Sequence, residues 1–179
     1  MASGLRSIPD PASISAGPEP RCGSSDQATV VDPIDAIGSR REARETALGI
    51  LYAAEAQGRD LLEVLTDRPV APSGYAVEVV EGVAVTINQL DELIGRHAEG
   101  WRTDRMPAVD RALLRMAVYE LCHRPDVPTA AVLSEVVDLA GDYSTERSSR
   151  FVNGVVSAVA AEVRTEGHPG TGHQEGDPA

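Results

Sequence analysis

Apolar residues recur at steps of three and four positions through most of residues 39–164, the spacing that is typical of amphipathic helices. In the first such stretch they are Ala43, Ala47, Ile50, Leu51 and Ala54. Ser39 followed by Glu42 fits a capping box, in which each side chain bonds the backbone amide of the other residue. The sequence therefore predicts a helix that begins at Ser39, stops at Gly58 and buries one face.

The same spacing predicts two more helices before residue 100. The first is short, covers 60–67 and begins at Asp60, with Glu63 at the capping-box spacing. The second covers 74–99 and carries Gly82 in its interior. Since glycine costs a helix about 1 kcal/mol relative to alanine, Gly82 indicates that another helix crosses closely at this point.

Three further helices are predicted over residues 107–123, 129–140 and 150–163, with a polar loop at 142–149. No segment combines sustained alternation of apolar and polar residues with hairpin turns, so no sheet is expected. The predicted fold class is all-α, a compact bundle of about six to seven helices joined by short links.

The two ends of the chain have a different composition from this helical region. Residues 1–38 and 165–179 are rich in proline, glycine, serine and acidic residues, and we expect both to be disordered. Pro33 interrupts the last apolar stretch of the first segment. The expected organisation is a disordered acidic extension, a helical domain at 39–164 and a disordered tail.

Charge narrows the kinds of partner that the domain can bind. The formal net charge is −12, and all 16 basic residues are arginine. Any contact with nucleic acid must therefore use a local basic patch, and it must be sensitive to salt. Cys22 and Cys122 have no metal-ligand spacing, and we interpret them as free thiols in a reducing cytoplasm. No metal site, cofactor site or set of catalytic nucleophile and base is predicted, so an enzyme is not expected.

Three stretches carry candidate binding residues, and each has a simpler alternative. Arg40, Arg41 and Arg44 lie near a predicted helix start, where the helix dipole favours acids, so they indicate a nearby polyanion. A solvated face of ordinary arginine–glutamate pairs explains the spacing about equally well. The stretch 109–121 places charged side chains beside an apolar face, and its alternative is a plain amphipathic core helix.

The third stretch lies before the last helix. Arg147 and Arg150 flank two serines, Ser148 and Ser149, which are placed to cap that helix, and Phe151 follows. Arginines beside an exposed aromatic ring form a surface on which a single-stranded base can stack. The alternative is that Phe151 simply fills the core.

Four motifs in this order resemble the NusB family of bacterial transcription antitermination factors. They are R-R-x-A-R-x-x-A-L-x-x-L-Y at 40–52, V-D-R-A-x-L-R-x-A-x-Y-E-L at 109–121, D-V-P at 126–128 and F-V-N-G-V at 151–155. Each motif is modest alone, but their joint order and spacing over about 39–164 is specific. The resemblance implies an all-helical fold of two subdomains with no catalytic role.

The resemblance also implies partners and site residues. The expected partners are the boxA segment of ribosomal RNA leader transcripts and NusE, a ribosomal protein, in a complex that loads onto RNA polymerase and suppresses premature Rho-dependent termination. The residues carried over to RNA binding are Arg40, Arg41, Arg44, Tyr52, Arg147, Ser148, Arg150 and Phe151. Those carried over to partner binding are Asp110, Arg111 and Glu120.

Two departures from the family pattern affect the expected RNA surface. Glu42 interrupts the first basic run, and Arg147 stands where the family commonly has an acid, which predicts added attraction for phosphate. The alternative function is the RNA-binding module of ribosomal RNA cytosine methyltransferases, for which we expect no catalytic domain within this sequence. A helical interaction module without an RNA role and a homodimer are further possibilities.

Overall fold

The computed structural model describes residues 33–98 and 102–165, and within these ranges it contains six α-helices and one 3₁₀ helix. The helices are α1 Pro33–Gln57, α2 Leu61–Thr66, α3 Gly74–His97, α4 Ala108–His123, α5 Thr129–Tyr143 and α6 Glu146–Thr165, and the 3₁₀ helix is Thr103–Arg105. No strand occurs among these residues, and the all-α prediction is confirmed. None of the described helices is long and apolar enough to cross a membrane.

The predicted boundary between the first two helices is confirmed. Gly58 follows α1 with a φ of 62°, in the left-handed region that favours glycine. The amide of Arg59 donates to the carbonyl of Ala54 at 2.9 Å, so the chain turns back over the helix end in a Schellman motif. The Asp60 carboxylate then accepts from the amide of Leu62 at 2.8 Å and caps α2.

The start of α1 differs from the prediction. The helix begins at Pro33, six residues before Ser39, so the capping box predicted from Ser39 and Glu42 is wrong: both residues lie inside the helix. Proline is tolerated in a first helical turn because no backbone donor is needed there. Pro33 therefore opens this helix instead of interrupting the segment.

The connection between α5 and α6 is also shorter than predicted. α5 continues to Tyr143 and α6 begins at Glu146, so most of the loop predicted at 142–149 is helical. The hydroxyl of Thr145 accepts from the amide of Ser148 at 3.2 Å. Thr145 thus caps α6, and the predicted capping role of Ser148 and Ser149 is wrong.

The ends of the predicted domain shift outwards. Residues 33–38 and Thr165 are helical, so the described helices extend beyond 39–164 on both sides. The rest of the predicted extension and tail lies outside the described residues.

The described helices form two groups of three that meet mainly through α4. Helices α1, α2 and α3 pack on one another, α4, α5 and α6 pack on one another, α4 also packs on α1 and α3, and α3 packs to a smaller extent on α6. The predicted apolar face of α1 is buried at all five positions, Ala43, Ala47, Ile50, Leu51 and Ala54. The two groups correspond to the two subdomains that the resemblance implied.

Gly82 lies where α3 crosses α4. A Cβ added at this position would collide with the ring of Tyr119, which is buried in the crossing. The close crossing that the sequence indicated is therefore confirmed.

The end of α6 stabilises the end of α4. One guanidinium nitrogen of Arg164 donates to three carbonyls, those of Glu120, Arg124 and Val127, at 3.2, 3.0 and 3.4 Å. The carbonyls of Glu120 and Arg124 also accept backbone amides, those of Arg124 and Val127, each at 3.0 Å, so Arg164 adds a side-chain donor to the end of α4 and to the turn that follows it.

Candidate nucleic-acid interface

The three arginines of α1 do not share one environment. Because α1 begins at Pro33, Arg40 is the eighth residue of the helix, beyond its first turn. The dipole argument for a polyanion at the helix start therefore no longer applies to Arg40, Arg41 and Arg44. What these side chains can bind depends instead on their exposure and their partners.

Arg44 lies in the core. Its side chain is 4% exposed, and its Nε donates to both carboxylate oxygens of Glu120 at 3.0 and 3.1 Å. Glu120 is 1% exposed and also accepts from the hydroxyl of Tyr75. The predictions that Arg44 contacts RNA and that Glu120 contacts a protein partner are wrong, since neither side chain reaches the surface.

The ring of Tyr75 is held in this cluster by its surroundings. Burial, followed by the nearby Glu120 carboxylate, raises the pKa of the Tyr75 hydroxyl well above its usual range, so the hydroxyl remains a donor. The guanidinium carbon of Arg44 lies 5.7 Å from the ring centroid. Tyr75, Arg44 and Glu120 thus join α3, α1 and α4 through one buried polar cluster.

Arg40 and Arg41 do reach the surface. The Arg40 side chain is 40% exposed, and one of its nitrogens lies 3.5 Å from a carboxylate oxygen of Asp126. Arg41 is nearer to acids: it contacts Asp142 of α5 at 2.8 Å, and two glutamates, Glu45 and Glu135, lie at 3.4 and 3.7 Å. Both arginines are accessible to a ligand, and Arg41 is the more heavily neutralised.

A second basic patch lies on the first turns of α6. Arg147 and Arg150 are exposed. Arg150 pairs with Glu146 at 3.0 Å, whereas no ion pair joins Arg147 to another residue in the described ranges. Phe151 is half-buried and packs against the core, so the ring is neither fully exposed nor fully internal.

A cavity of about 300 Å³ adjoins this patch, lined by Pro107, Asp110, Thr145, Arg147, Ser148 and Phe151. Ser148 is buried, and its hydroxyl oxygen lies 2.9 Å from that of Ser144, within hydrogen-bond distance. Asp110 is also buried and accepts from Ser144 at 2.6 Å. Both side chains belong to the turn before α6, and RNA contact by Ser148 and partner contact by Asp110 stay predictions, since both residues also line the cavity.

The remaining two predicted residues lie away from both patches. Tyr52 is 45% exposed on α1, eleven residues and about 16 Å along the helix from Arg41. Arg111 is largely buried, and its Nε donates to Glu55 at 2.8 Å. The hydrogen bond to Glu55 raises the pKa of Arg111, which stays charged as an internal link between α4 and α1.

The structure adds three residues that the sequence analysis did not select. Arg124, directly after α4, donates through Nε and a terminal nitrogen to the two oxygens of Asp126 at 2.9 and 3.0 Å. Its guanidinium carbon lies 4.9 Å from the ring centroid of Tyr75. The hydrogen bond from Arg124 lowers the pKa of Asp126. The sequence carried one sign of this pairing, since Arg124 stands two residues before the aspartate of the D-V-P motif.

No group of three or more histidine, cysteine, aspartate or glutamate side chains is arranged to hold a metal ion within residues 33–98 and 102–165. His168 and His173 lie outside these ranges. The two basic patches are Arg40 and Arg41 on α1, and Arg147 and Arg150 on α6. In these patches Arg40, Arg41 and Arg150 pair with carboxylates, and their guanidinium groups stay accessible. Such groups bind phosphate or carboxylate anions.

Comparison with known proteins shows which family this chain resembles. The model of the NusB family matches residues 41–161. The transcription antitermination protein NusB of Salinispora arenicola is 47% identical over 129 residues, which cover 68% of this chain and 95% of that protein. The protein of the same name from Streptomyces avermitilis is 42% identical over 129 residues, with 67% and 90% covered. These relatives are antitermination proteins, not enzymes.

Solved structures agree with the fold. NusB of T. maritima superposes with a TM-score of 0.65 at 30% identity, covering 71% of this chain and 94% of that one. A structure of the antitermination factors NusB and NusE in complex with double-stranded RNA superposes with a TM-score of 0.61 at 30% identity, covering 70% and 98%. The likeness extends over nearly the whole length of both known chains.

Proposed function

The chain belongs to the NusB family of transcription antitermination proteins, and we propose that it binds the boxA segment of ribosomal RNA leader transcripts together with NusE. In this role it joins the complex on RNA polymerase, in the cytoplasm, and suppresses premature Rho-dependent termination. The similar structure of NusB and NusE with RNA supports both partners. The relatives that match the chain along most of their own length support antitermination and give no support to the methyltransferase module.

The observation that carries the proposal is the closeness of the two exposed arginine patches. Arg41 on α1 reaches Asp142 near the end of α5 at 2.8 Å. Asp142 stands five residues before Arg147, so the chain between them spans at most about 17 Å. A single RNA strand of a few nucleotides can therefore contact α1 and the start of α6 together.

The charges of the chain determine how this contact depends on salt. The body is acidic overall, and Arg40, Arg41 and Arg150 each share their charge with a carboxylate. RNA must compete with these carboxylates for the guanidinium groups. Each phosphate that is bound by an arginine contributes about 0.7 to the slope of log affinity against log salt for a single strand.

A fluorescence anisotropy titration tests the proposal. The full chain is titrated with a labelled boxA-type RNA and with a scrambled RNA of the same composition, each with and without NusE. We expect tighter binding of the boxA-type RNA and a further gain when NusE is present. Equal affinity for the two RNAs under both conditions refutes the proposed specificity.

The surface contribution is measured with variants that leave the core intact. The double variant Arg40→Ala/Arg41→Ala removes two exposed guanidinium groups and is expected to weaken RNA binding and to flatten the salt dependence. Arg59→Ala, at the opposite end of α1, is the matched control, since Arg59 is likewise exposed and paired with carboxylates. Sedimentation with and without RNA tests whether the chain is a monomer or a homodimer in the same preparations.

A further inference from the structure

Arg40, Tyr75, Arg124 and Asp126 meet at one place on the surface, which we call the Tyr75 site. The guanidinium carbons of Arg40 and Arg124 lie 5.6 and 4.9 Å from the centroid of the Tyr75 ring. The Asp126 carboxylate bridges the two arginines, at 2.9 and 3.0 Å from nitrogens of Arg124 and at 3.5 Å from Arg40. The site thus joins α1, α3 and the connection between α4 and α5.

The two arginines differ in how many of their hydrogen-bond donors already contact a carboxylate. Arg124 is largely buried and is held by two hydrogen bonds to Asp126 and by a contact with Glu78 at 2.5 Å. Arg40 is 40% exposed and has one carboxylate contact, at 3.5 Å, among the described residues. Most of the five donors of the Arg40 guanidinium are therefore left for another anion.

The bridging carboxylate is exposed to solvent. Asp126 is 48% exposed, so an incoming ligand can reach it. An anion with two oxygens shared between two guanidinium groups is the arrangement that arginines use for phosphate as well as carboxylate. The exposed Arg40–Asp126 pair is weak, corresponding to at most about a five-fold preference, and the two-bonded Arg124–Asp126 pair is the contact that a phosphate has to displace.

The ring of Tyr75 attracts the two arginines in addition to their ion pairs. Guanidinium groups close to an aromatic ring are held by cation–π attraction. The hydroxyl of Tyr75 donates to buried Glu120, which fixes the ring from the core side. The two arginines are thus positioned before any ligand arrives, which lowers the entropy cost of binding.

We propose that the Tyr75 site is a phosphodiester site for the RNA backbone and that Asp126 occupies it in the free protein as an internal competitor. The proposal rests on the RNA-binding function proposed above and adds Arg124 to the RNA surface. RNA binding turns the Asp126 carboxylate out of the bridge, and a phosphate oxygen pair takes its place between Arg40 and Arg124. The carboxylate thereby limits RNA affinity instead of contributing to it.

A positioning role for Asp126 predicts the opposite change in RNA affinity when its charge is removed. If Asp126 only fixes Arg124 in a useful position, its neutralisation loosens Arg124 and weakens RNA binding. If Asp126 competes with phosphate, its neutralisation strengthens RNA binding. The sign of the effect therefore separates the two roles.

The test compares Asp126→Asn with Asp67→Asn in the full chain. Both variants remove one exposed aspartate charge that pairs with an arginine, but Asp67 pairs with Arg59 beyond the far end of α1. We titrate a labelled, short single-stranded boxA-type RNA at several salt concentrations. The expected result is about two- to five-fold tighter binding by Asp126→Asn at low salt, with unchanged affinity for Asp67→Asn.

A second variant keeps the proposal testable if Asp126→Asn folds poorly by circular dichroism. Arg124→Gln is expected to weaken RNA binding and to lower the salt slope by about 0.7, the value for one phosphate. In the double variant, Asp126→Asn is expected to bring no gain, because its gain depends on Arg124.

The outcomes separate this inference from the function on which it rests. If the unaltered chain binds RNA and Asp126→Asn binds it equally or more weakly, Asp126 is not a competitor and the function stands. If Arg124→Gln leaves both affinity and salt slope unchanged, the Tyr75 site holds no phosphate. If the unaltered chain binds neither RNA, the proposed function itself fails and the inference fails with it.

Discussion

Replacing Arg44 with alanine should lower the free energy of unfolding by about 3 kcal/mol, the lower end of the range for breaking a buried ion pair. Glu120 is 1% exposed, and in this variant it loses both hydrogen bonds from Arg44. Its carboxylate cannot reach water in the folded state, so its charge stays uncompensated. The hydroxyl of Tyr75 still donates to it, which is why we expect the lower end of the range.

The measurement is urea unfolding followed by far-UV circular dichroism, with the slope of the transition compared between variants. Arg41→Ala is the matched control: it removes the same side chain from the same helix, but its nearest partner, Asp142, is at the surface, so we expect a loss below about 1 kcal/mol. The double variant Arg44→Met/Glu120→Leu removes both charges and should regain most of the stability, because apolar pairs often replace buried ion pairs without loss.

Two results would refute this reasoning. One is a loss below about 1 kcal/mol for Arg44→Ala, which would mean that Glu120 finds water or another partner. The other is a double variant as unstable as the single one, which would assign the loss to side-chain volume and not to charge. The expected result also means that RNA-binding tests must use Arg40 and Arg41 without Arg44, since a variant of Arg44 changes the folded state itself.

Three further predictions follow from single residues. Arg147→Asp should weaken binding of boxA-type RNA and lower its salt slope by about 0.7, and an unchanged slope excludes a phosphate contact there. Gly82→Ala should lower the free energy of unfolding, measured in urea, by about 1 kcal/mol or more, because overpacking against Tyr119 outweighs the gain in helix propensity. Gly49→Ala, where a Cβ meets open space, should raise it. A change of the same sign in both variants contradicts the crossing geometry. Burial raises the pKa of the Cys122 thiol, so its alkylation rate should reach half-maximum at a higher pH than that of a cysteine peptide. The rate is measured in a variant whose other cysteine is replaced by serine. A midpoint pH at or below the value for the peptide contradicts this.

The helices themselves were largely predictable because local patterns determine them. The cap at Asp60 and the glycine at Gly58 mark a boundary through contacts between near neighbours in the chain. The apolar spacing of α1 placed its buried face correctly at every predicted position. Pro33 misled the prediction because a proline can either end a helix or open one, and only the backbone that follows decides between the two.

The candidate site was less predictable because it depends on pairing between distant residues. Arg44 and Glu120 are 76 positions apart, and no local pattern states that they meet. Their spacing from apolar residues did indicate that both lie on buried helix faces. Arg44 stands three positions before Ala47, and Glu120 stands three positions after Ala117. A charged residue on an apolar face in each of two helices indicates a buried pair, although the sequence alone does not choose the partner.

The cap that Arg164 places on α4 has a practical consequence for shortening the chain. The family match covers 41–161, so a chain cut to those limits loses Arg40 at one end and Arg164 at the other. Without Arg164, the carbonyls of Glu120, Arg124 and Val127 lose their side-chain donor, and these residues belong to the segment that carries Arg124 and Asp126. We therefore expect a minimal unit for RNA-binding experiments to run from Pro33 to Thr165, because the limits of the family match leave out Arg40, which we propose to contact RNA, and the Arg164 contacts to the segment that carries Arg124.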